Sequence, residues 1–356
     1  MFLTEYNRIM KKVDKALKQF LEEKSNELDN PFLSYFCKEI EKFLFSGGKR
    51  IRPVLMLLSS AAINPNIDED GIIRASLSLE LLHNASLIHD DIMDNAETRR
   101  GIVAFHKTFE NYSKKNYDDE IQNPEDFGVA MGILGGDFLY NIAYNAIHIH
   151  DFPPEKVLQA SLEFNKGFFK VVRGVIIETD FMGKLLISEK EYMEMVAGKT
   201  AALFEAATKM GAILAGAQDS QLEGLENFAK SAGIAFQIVD DIIGTFGDAK
   251  KTGKPTDSDL KEGKKTLLLI KTLENADNYQ KNLMKKIVGN RDSNSEEVEQ
   301  VRNIIVETGA LDYSRAQAKI LFEDCVKYLN TINPPLDEKY KNFLIEIAKM
   351  GIQREK

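Results

Sequence analysis

Apolar residues recur at spacings of three and four along almost the whole chain, while the two-residue alternation of a half-buried strand is nearly absent. That pattern predicts an all-α fold. The spacing marks helices over 3–27, 32–46, 50–62, 69–95, 126–150, 154–185, 188–216, 219–245, 260–276, 294–308, 310–331 and 335–350. Pro31, Pro65, Pro124, Pro153, Pro255 and Pro334 all fall between these segments, where a residue without a backbone N–H does least harm. Residues 111–126 read as a solvated surface insertion. Residues 246–265, with three glycines, a proline and six lysines, read as a loop able to close over a ligand. No linker, low-complexity tract or repeat divides the chain, so one domain over residues 1–356 is expected. Its 44 % hydrophobic content is enough for a substantial core.

The formal charge of −9 argues against nucleic acid or an anionic membrane as the main partner, since both reward clustered Lys and Arg. It leaves phosphate chemistry open wherever the basic residues converge. The apolar stretch Val129 to Ile149 is interrupted by Asp137, Asn141, Asn145 and His148, which suits a buried helix better than a membrane span. The opening MFLTEYNRIMKKVDKAL reads as an amphipathic helix rather than a signal peptide. Cys37 and Cys325 stand far apart, outside any metal-ligand spacing. A reduced, cytoplasmic setting is the simple expectation.

The chemistry concentrates in a few segments. In LHNASLIHDDIMDNAETRRG, residues 82–101, Asp90 and Asp94 lie one helical turn apart with Asp91 beside them, among apolar Leu87, Ile88, Ile92 and Met93. Carboxylates this close repel unless a cation intervenes, and hard oxygen donors suit Mg²⁺, which completes its shell with waters and substrate phosphates. A solvated acidic face is the plain alternative, and the apolar neighbours weaken it. His83 shares that face, and Arg99 and Arg100 follow where guanidinium groups could fork onto diphosphate oxygens. A second acidic pair, Asp240 and Asp241, sits in an apolar helix with Gln237 one turn before Asp240. Two buried aspartates are costly without a cation or hydrogen bonds. Gly47-Gly48-Lys49-Arg50-Ile51-Arg52-Pro53 opens a helix, whose free N–H groups attract phosphate. It is not a Walker loop, because the GxxxxGK[ST] spacing is missing. Gly198-Lys199-Thr200 adds a cation and a hydroxyl, and Lys254 and Lys264 belong to the 246–265 loop.

These motifs resemble the trans-prenyl diphosphate synthases, the farnesyl and geranylgeranyl diphosphate synthase family. The likeness rests on GGKRIRP at 47–53, LIHDDIMD with RRG at 87–101, GGD at 135–137, GKT at 198–200, FQIVDD at 236–241, GKP at 253–255 and GKKT at 263–266. It implies an isoprenoid-synthase-type helical bundle around a central cavity, usually a homodimer. Three Mg²⁺ ions would bind with the allylic diphosphate on Asp90, Asp91, Asp94, Asp180, Asp240 and Asp241. Arg99, Lys199, Thr200, Gln237, Lys254 and Lys264 would hold the phosphates of the allylic substrate. Gly48, Lys49, Arg52, His83 and Arg100 would hold isopentenyl diphosphate. The implied catalytic set is Asp90, Asp94, Lys199 and Asp240, and the implied product geranylgeranyl diphosphate, with farnesyl or longer chains as alternatives.

Ser86, one turn before Asp90, shares the face of the acidic cluster and should lie at the top of a hydrocarbon pocket. Ala85 joins it from the resemblance, because members with an aromatic residue there tend to stop at short products. Two departures stand out. The second motif reads Asp240-Asp241-Ile242-Ile243-Gly244 where many relatives have DDxxD, with Asp248 later. The GQxxD segment appears as Ile176-Ile177-Glu178-Thr179-Asp180. Three other readings compete: an HD-type phosphohydrolase built on His89-Asp90, a terpene cyclase, and a non-catalytic partner subunit. The first wants further metal histidines, the second usually has Asn, Ser or Thr and Glu in its second metal site, and the third would be expected to lose aspartates that this chain keeps.

Overall fold

The computed structural model describes residues 1–27, 29–117, 122–148, 152–184, 186–247 and 256–353, and helix follows helix through them. In chain order they are α1 (Phe2–Asn26), α2 (Pro31–Phe45), α3 (Ile51–Ile63), α4 (Glu69–Met93), α5 (Phe105–Asn116), α6 (Pro124–Ile147), α7 (Pro154–Met182), α8 (Glu189–Val196), α9 (Ala202–Ala215) and α10 (Asp219–Phe246). Then come α11 (Ser258–Glu262), α12 (Leu267–Asn275), α13 (Asn278–Ile287), α14 (Ser295–Glu307), α15 (Ala310–Thr331) and α16 (Glu338–Ile352). A π-helical turn, Ala197–Ala201, joins α8 to α9 without a break. Among the described residues the strands form one small antiparallel hairpin, β1 (Thr98–Arg99) with β2 (Ile102–Val103).

Helix α4 is buried around most of its circumference and packs on α1, α3, α5, α6 and α9. Asp68 starts it by accepting a hydrogen bond from the Asp70 amide. The close approach of α4 and α5 to α6 depends on missing side chains. A Cβ at Gly128 would run into the His106 carbonyl oxygen, at Gly132 into Ile92, at Gly135 into the Phe105 ring and at Gly136 into the His89 ring. The GGD motif therefore has a packing cause, whatever else it does.

Two apolar clusters result. The larger gathers α1–α7, α9 and α16 with the first half of α10 and the second half of α15. The smaller gathers α8, α12, α13 and α14 with the other halves of α10 and α15. Helix α10 thus passes from one cluster into the other, and Asp240 and Asp241 lie on its distal half.

Local departures from the expected helices have local causes. Helix α5 falls partly in the segment read as a polar insertion: only its Phe105, His106, Phe109 and Ser113 are buried, so its apolar stripe is thin. Helix α13 was not expected either; Asp277 caps it, and only Met284 and Ile287 are buried. The segment expected as one helix over 260–276 divides at Gly263, which adopts φ +69°. Among the described residues no helix is long and apolar enough to cross a membrane.

Candidate active site

A cavity of about 840 Å³ opens where α3, α4, α7, α8, α9 and α10 converge, closed on one side by residues 256–266. Asp90 and Asp94 reach it from α4, Asp240 and Asp241 from α10, and Lys199 and Thr200 from the π turn. Burial pushes the Asp90 carboxyl above its usual range; the Asp94 and Glu178 carboxylates add to this and Lys199 opposes it. Burial pulls the Lys199 ammonium down, but Glu178 and Asp90 outweigh it and hold the group above its ordinary value. Lys199 pairs with Glu178 of α7. That pairing needs α7 and the π turn to touch backbone to backbone. They do so at Gly174 and Gly198, whose Cβ positions would lie 2.9 Å from Lys199 Cα and 3.0 Å from Gly174 Cα respectively.

Three expected ligands are placed differently. Asp91 turns about 100° from Asp90 around the helix, is fully buried, and does not line the cavity. Its Oδ1 accepts from Arg99 Nε at 2.7 Å and from Arg99 Nη2, so Asp91 anchors an arginine that does line the cavity. Asp180 lies outside the cavity, 65 % exposed and paired with Lys184 at 2.8 Å. Two residues are about 200° apart on a helix, and Glu178 is the acid that α7 turns inward. Asp241 is at the wall, but both its oxygens are engaged: Tyr192 OH donates to Oδ2 at 2.7 Å and Gln237 Nε2 to Oδ1 at 2.8 Å. Burial pushes Asp241 up to about 7, with Asp259 and Asp240 adding to the effect. Thr200 in turn donates to Gln237 Oε1 at 2.6 Å, so the Gln237 amide sits within a chain of protein hydrogen bonds.

Asp259 is a further acid at the wall, ion-paired to Lys264 at 3.2 Å. Its carboxylate lies over Gly244, where a Cβ would collide with Oδ2. The position at which DDxxD would carry its last aspartate is thus covered by an acid from another segment. Nothing in the spacing of SDLKEGKK announces this, since it depends on how the 256–266 segment folds back onto α10. Lys264 lines the cavity; burial draws it down, and Asp259, Asp94 and Glu262 hold it above its ordinary value. Lys254 and Asp248 lie outside the described residues.

Of the residues expected around isopentenyl diphosphate, Arg52 and His83 line the cavity. Burial pulls Arg52 to about 10, partly offset by Glu80, so it stays cationic at neutral pH. Burial, with Arg52, Arg100 and Arg99 around it, drives His83 well below its usual range, leaving a neutral imidazole. Gly48 and Lys49 are exposed in the preceding loop, where Gly47 and Gly48 take φ +141° and +127°, values that L side chains rarely adopt. Arg100 Nη1 donates to Gly47 O at 2.9 Å. His89 turns away from the cavity, its Nε2 3.2 Å from Ile133 O, which removes the histidine that an HD-type reading requires.

Apolar wall is supplied by Leu87, Val171, Val175, Leu203 and Phe236, with Ser86 among them. Ala85 is not on this wall; it is 3 % exposed and packed in the larger core cluster.

Among the described residues no three Asp, Glu, His or Cys side chains close into a ready cation cage. Hard, desolvated, mutually repelling carboxylates on one cavity nevertheless fit Mg²⁺, which needs few protein oxygens when phosphate oxygens complete its shell.

Residues 34–305 match the polyprenyl synthetase family. The chain is 33 % identical over 340 residues to the geranylgeranyl diphosphate synthase of Sulfolobus acidocaldarius, covering 93 % of this chain and 96 % of that protein. It is 32 % identical to the geranylfarnesyl diphosphate synthase of Aeropyrum pernix, over 87 % of this chain and 92 % of that one. The fold superimposes with a TM-score of 0.90 on the geranylgeranyl pyrophosphate synthase of Corynebacterium glutamicum, solved with isoprenyl diphosphate and magnesium. That pair is 26 % identical, with 96 % of this chain and 97 % of the other covered.

Proposed function

The chain belongs to the polyprenyl synthetase family, and from that premise we propose that it joins isopentenyl diphosphate head to tail to an allylic diphosphate. Geranylgeranyl diphosphate is the product we assign, with twenty-five-carbon or longer chains as the alternative. The observation that carries this reading is a single cavity with acids from α4 and α10, cations from four elements, and an apolar wall.

Asp90, Asp94 and Asp240 are the residues that would hold Mg²⁺, three ions by our reading, and the metal would supply positive charge to the departing allylic diphosphate. Lys199, Arg99 and Lys264 stabilise the same developing charge through fixed cations that need no reorganisation. Arg52, Arg100 and Lys49 hold the isopentenyl diphosphate, and neutral His83 hydrogen-bonds beside them without adding a proton that could leak into the reaction. Breaking the allylic C–O bond leaves an allylic cation, the isopentenyl double bond attacks it, and loss of a proton to the released diphosphate completes the cycle. Leu87, Val175, Leu203 and Phe236 keep water from the cation.

We assign the working form as a homodimer. Helices α6 and α7 expose Ile133, Leu134, Leu158, Leu162, Phe169 and Ile176, and large apolar side chains left exposed on two helices suit a protein contact. Free Cys37 and Cys325 accord with a cytoplasmic location.

The direct test incubates the protein with isopentenyl diphosphate and dimethylallyl, geranyl or farnesyl diphosphate, with and without Mg²⁺, and weighs the products. Failure with every primer would sink the assignment. Arg52→Ala should raise the apparent KM for isopentenyl diphosphate about tenfold or more and leave that for the allylic substrate near its original value. An equal rise in both would refute the division of cations. Ser86→Phe should shift products to shorter chains, because a ring there projects from the cavity wall; an unchanged distribution at retained activity would place the limit elsewhere.

A further inference from the structure

Glu80 is 2 % exposed on α4, with no place on the cavity wall. Its Oε1 accepts from Arg50 Nη1 at 2.6 Å and from Asn84 Nδ2 at 3.0 Å. Arg50, 4 % exposed, also donates through Nη2 to Leu44 O and through Nε to Asp14 Oδ1, each at 2.8 Å. Asn84 Oδ1 accepts from Arg100 Nη1 at 3.3 Å, and that nitrogen also reaches Gly47 O. The Gly47-Gly48 turn is thus flanked by two guanidinium groups: a Cβ at Gly48 would lie 3.2 Å from Arg50 Nη1 and 3.5 Å from Arg100 Nη1. Both arginines hold left-handed backbone, φ +48° and +51°, a conformation non-glycine residues keep only when their surroundings over-determine it. One carboxylate is common to the surroundings of both, directly at Arg50 and through Asn84 at Arg100.

We propose that Glu80 is a positioning residue for the isopentenyl diphosphate site, fixing the 46–50 loop and Arg100 through Arg50 and Asn84. The proposal rests on the assignment of Lys49, Arg52 and Arg100 to that substrate. Two physical points favour positioning over plain stability. A buried ion pair contributes little compared with apolar side chains of the same volume, so its use is in setting geometry. A carboxylate near a phosphate site also repels the ligand, so on Coulomb grounds alone Glu80 should weaken binding.

Those two effects have opposite signs, and Glu80→Gln separates them. With the full chain, Mg²⁺ and a saturating allylic substrate, the apparent KM for isopentenyl diphosphate should rise about tenfold or more. The allylic KM should stay within about twofold, and kcat at saturating isopentenyl diphosphate within about threefold. Asn84→Ala, which cuts the link to Arg100 alone, should move the isopentenyl diphosphate KM in the same direction. It carries the test should Glu80→Gln not fold. A fall in that KM, an equal rise in both, or a lowered melting temperature with both unchanged would overturn the proposal. Arg52→Ala, measured alongside, distinguishes the failures. If Arg52→Ala raises the isopentenyl diphosphate KM and Glu80→Gln does not, the positioning role is wrong and the cation assignment stands. If Arg52→Ala raises both constants equally, the assignment is wrong and the positioning role falls with it.

Discussion

Asp90→Ala or Asp240→Ala is expected to lower turnover by about a thousandfold or more while the far-ultraviolet dichroism of the helices is unchanged. The expectation comes from one cavity lined by Asp90 from α4 and Asp240 from α10, each of which would hold metal from its own helix. Stability should move the other way for Asp90. Burial and two neighbouring carboxylates already hold its pKa high, which means that the ionised group is a cost to the folded chain at neutral pH. That cost is absent below the unfolded carboxylate range, grows as pH rises from there to the raised folded value, and is constant above it. Asp90→Ala should therefore melt at the same temperature as the parent or higher above pH 7. A ligand that binds the folded state alone raises its melting temperature by mass action. Mg²⁺ with inorganic diphosphate should do this for the parent, and much less for either variant. Near-normal turnover in one variant would take its cluster out of the mechanism.

Gly174→Ala should also be damaging, although Gly174 is not on the cavity wall. In an ordinary exposed helix the change would stabilise by about 1 kcal/mol. Here the new methyl would press into the Lys199 amide and come 2.8 Å from the Gly198 carbonyl carbon. Both obstacles are backbone, so α7 and the π turn must separate. A displacement near 1 Å at reacting groups can cost about a hundredfold in rate, and that loss in kcat is expected, with a drop of several degrees in melting temperature. Gly183→Ala is the control at the end of the same helix, since the nearest atom to its Cβ is Asp180 O at 3.6 Å. Parental kcat in Gly174→Ala would show that this contact does not position Lys199.

Much of the architecture was legible because helical spacing survives wherever a helix buries a broad stripe, as α10 does. It fails where burial is narrow: α5 and α13 hide in polar sequence because each is held by only a few side chains. At the site, acids set among apolar residues were conspicuous, and Asp90, Asp94, Asp240, Lys199, Thr200, Gln237, Arg99, Arg52, His83 and Lys264 do line one cavity. Asp91 was grouped with Asp90 and Asp94 because the three stand together in sequence, and spacing could not say that its side chain would meet Arg99 instead of the cavity. The choice between Glu178 and Asp180 needed to know which face of α7 looks inward. Asp259 needed the fold of a loop, which leaves no periodic trace.

The π turn between α8 and α9 has a consequence for how this chain can change length. Tyr192, Met195 and Val196 before it pack in the smaller cluster, while Leu203 and Phe204 after it pack in the larger. One helix axis serves two cores because its register slips midway, and Lys199 and Thr200 sit on the slipped residues. A π turn carries one residue more than an α turn, so removing a single residue from Ala197–Ala201 would restore ordinary winding and leave α9 facing its core. Adding one would instead rotate all of α9 by about 100° against α8. Surface loops absorb changes of length with little penalty, whereas here a one-residue addition would turn an apolar stripe out of its core, and a one-residue deletion would remove the slipped turn that carries two cavity residues. The length of this segment is therefore as constrained as the identity of its residues.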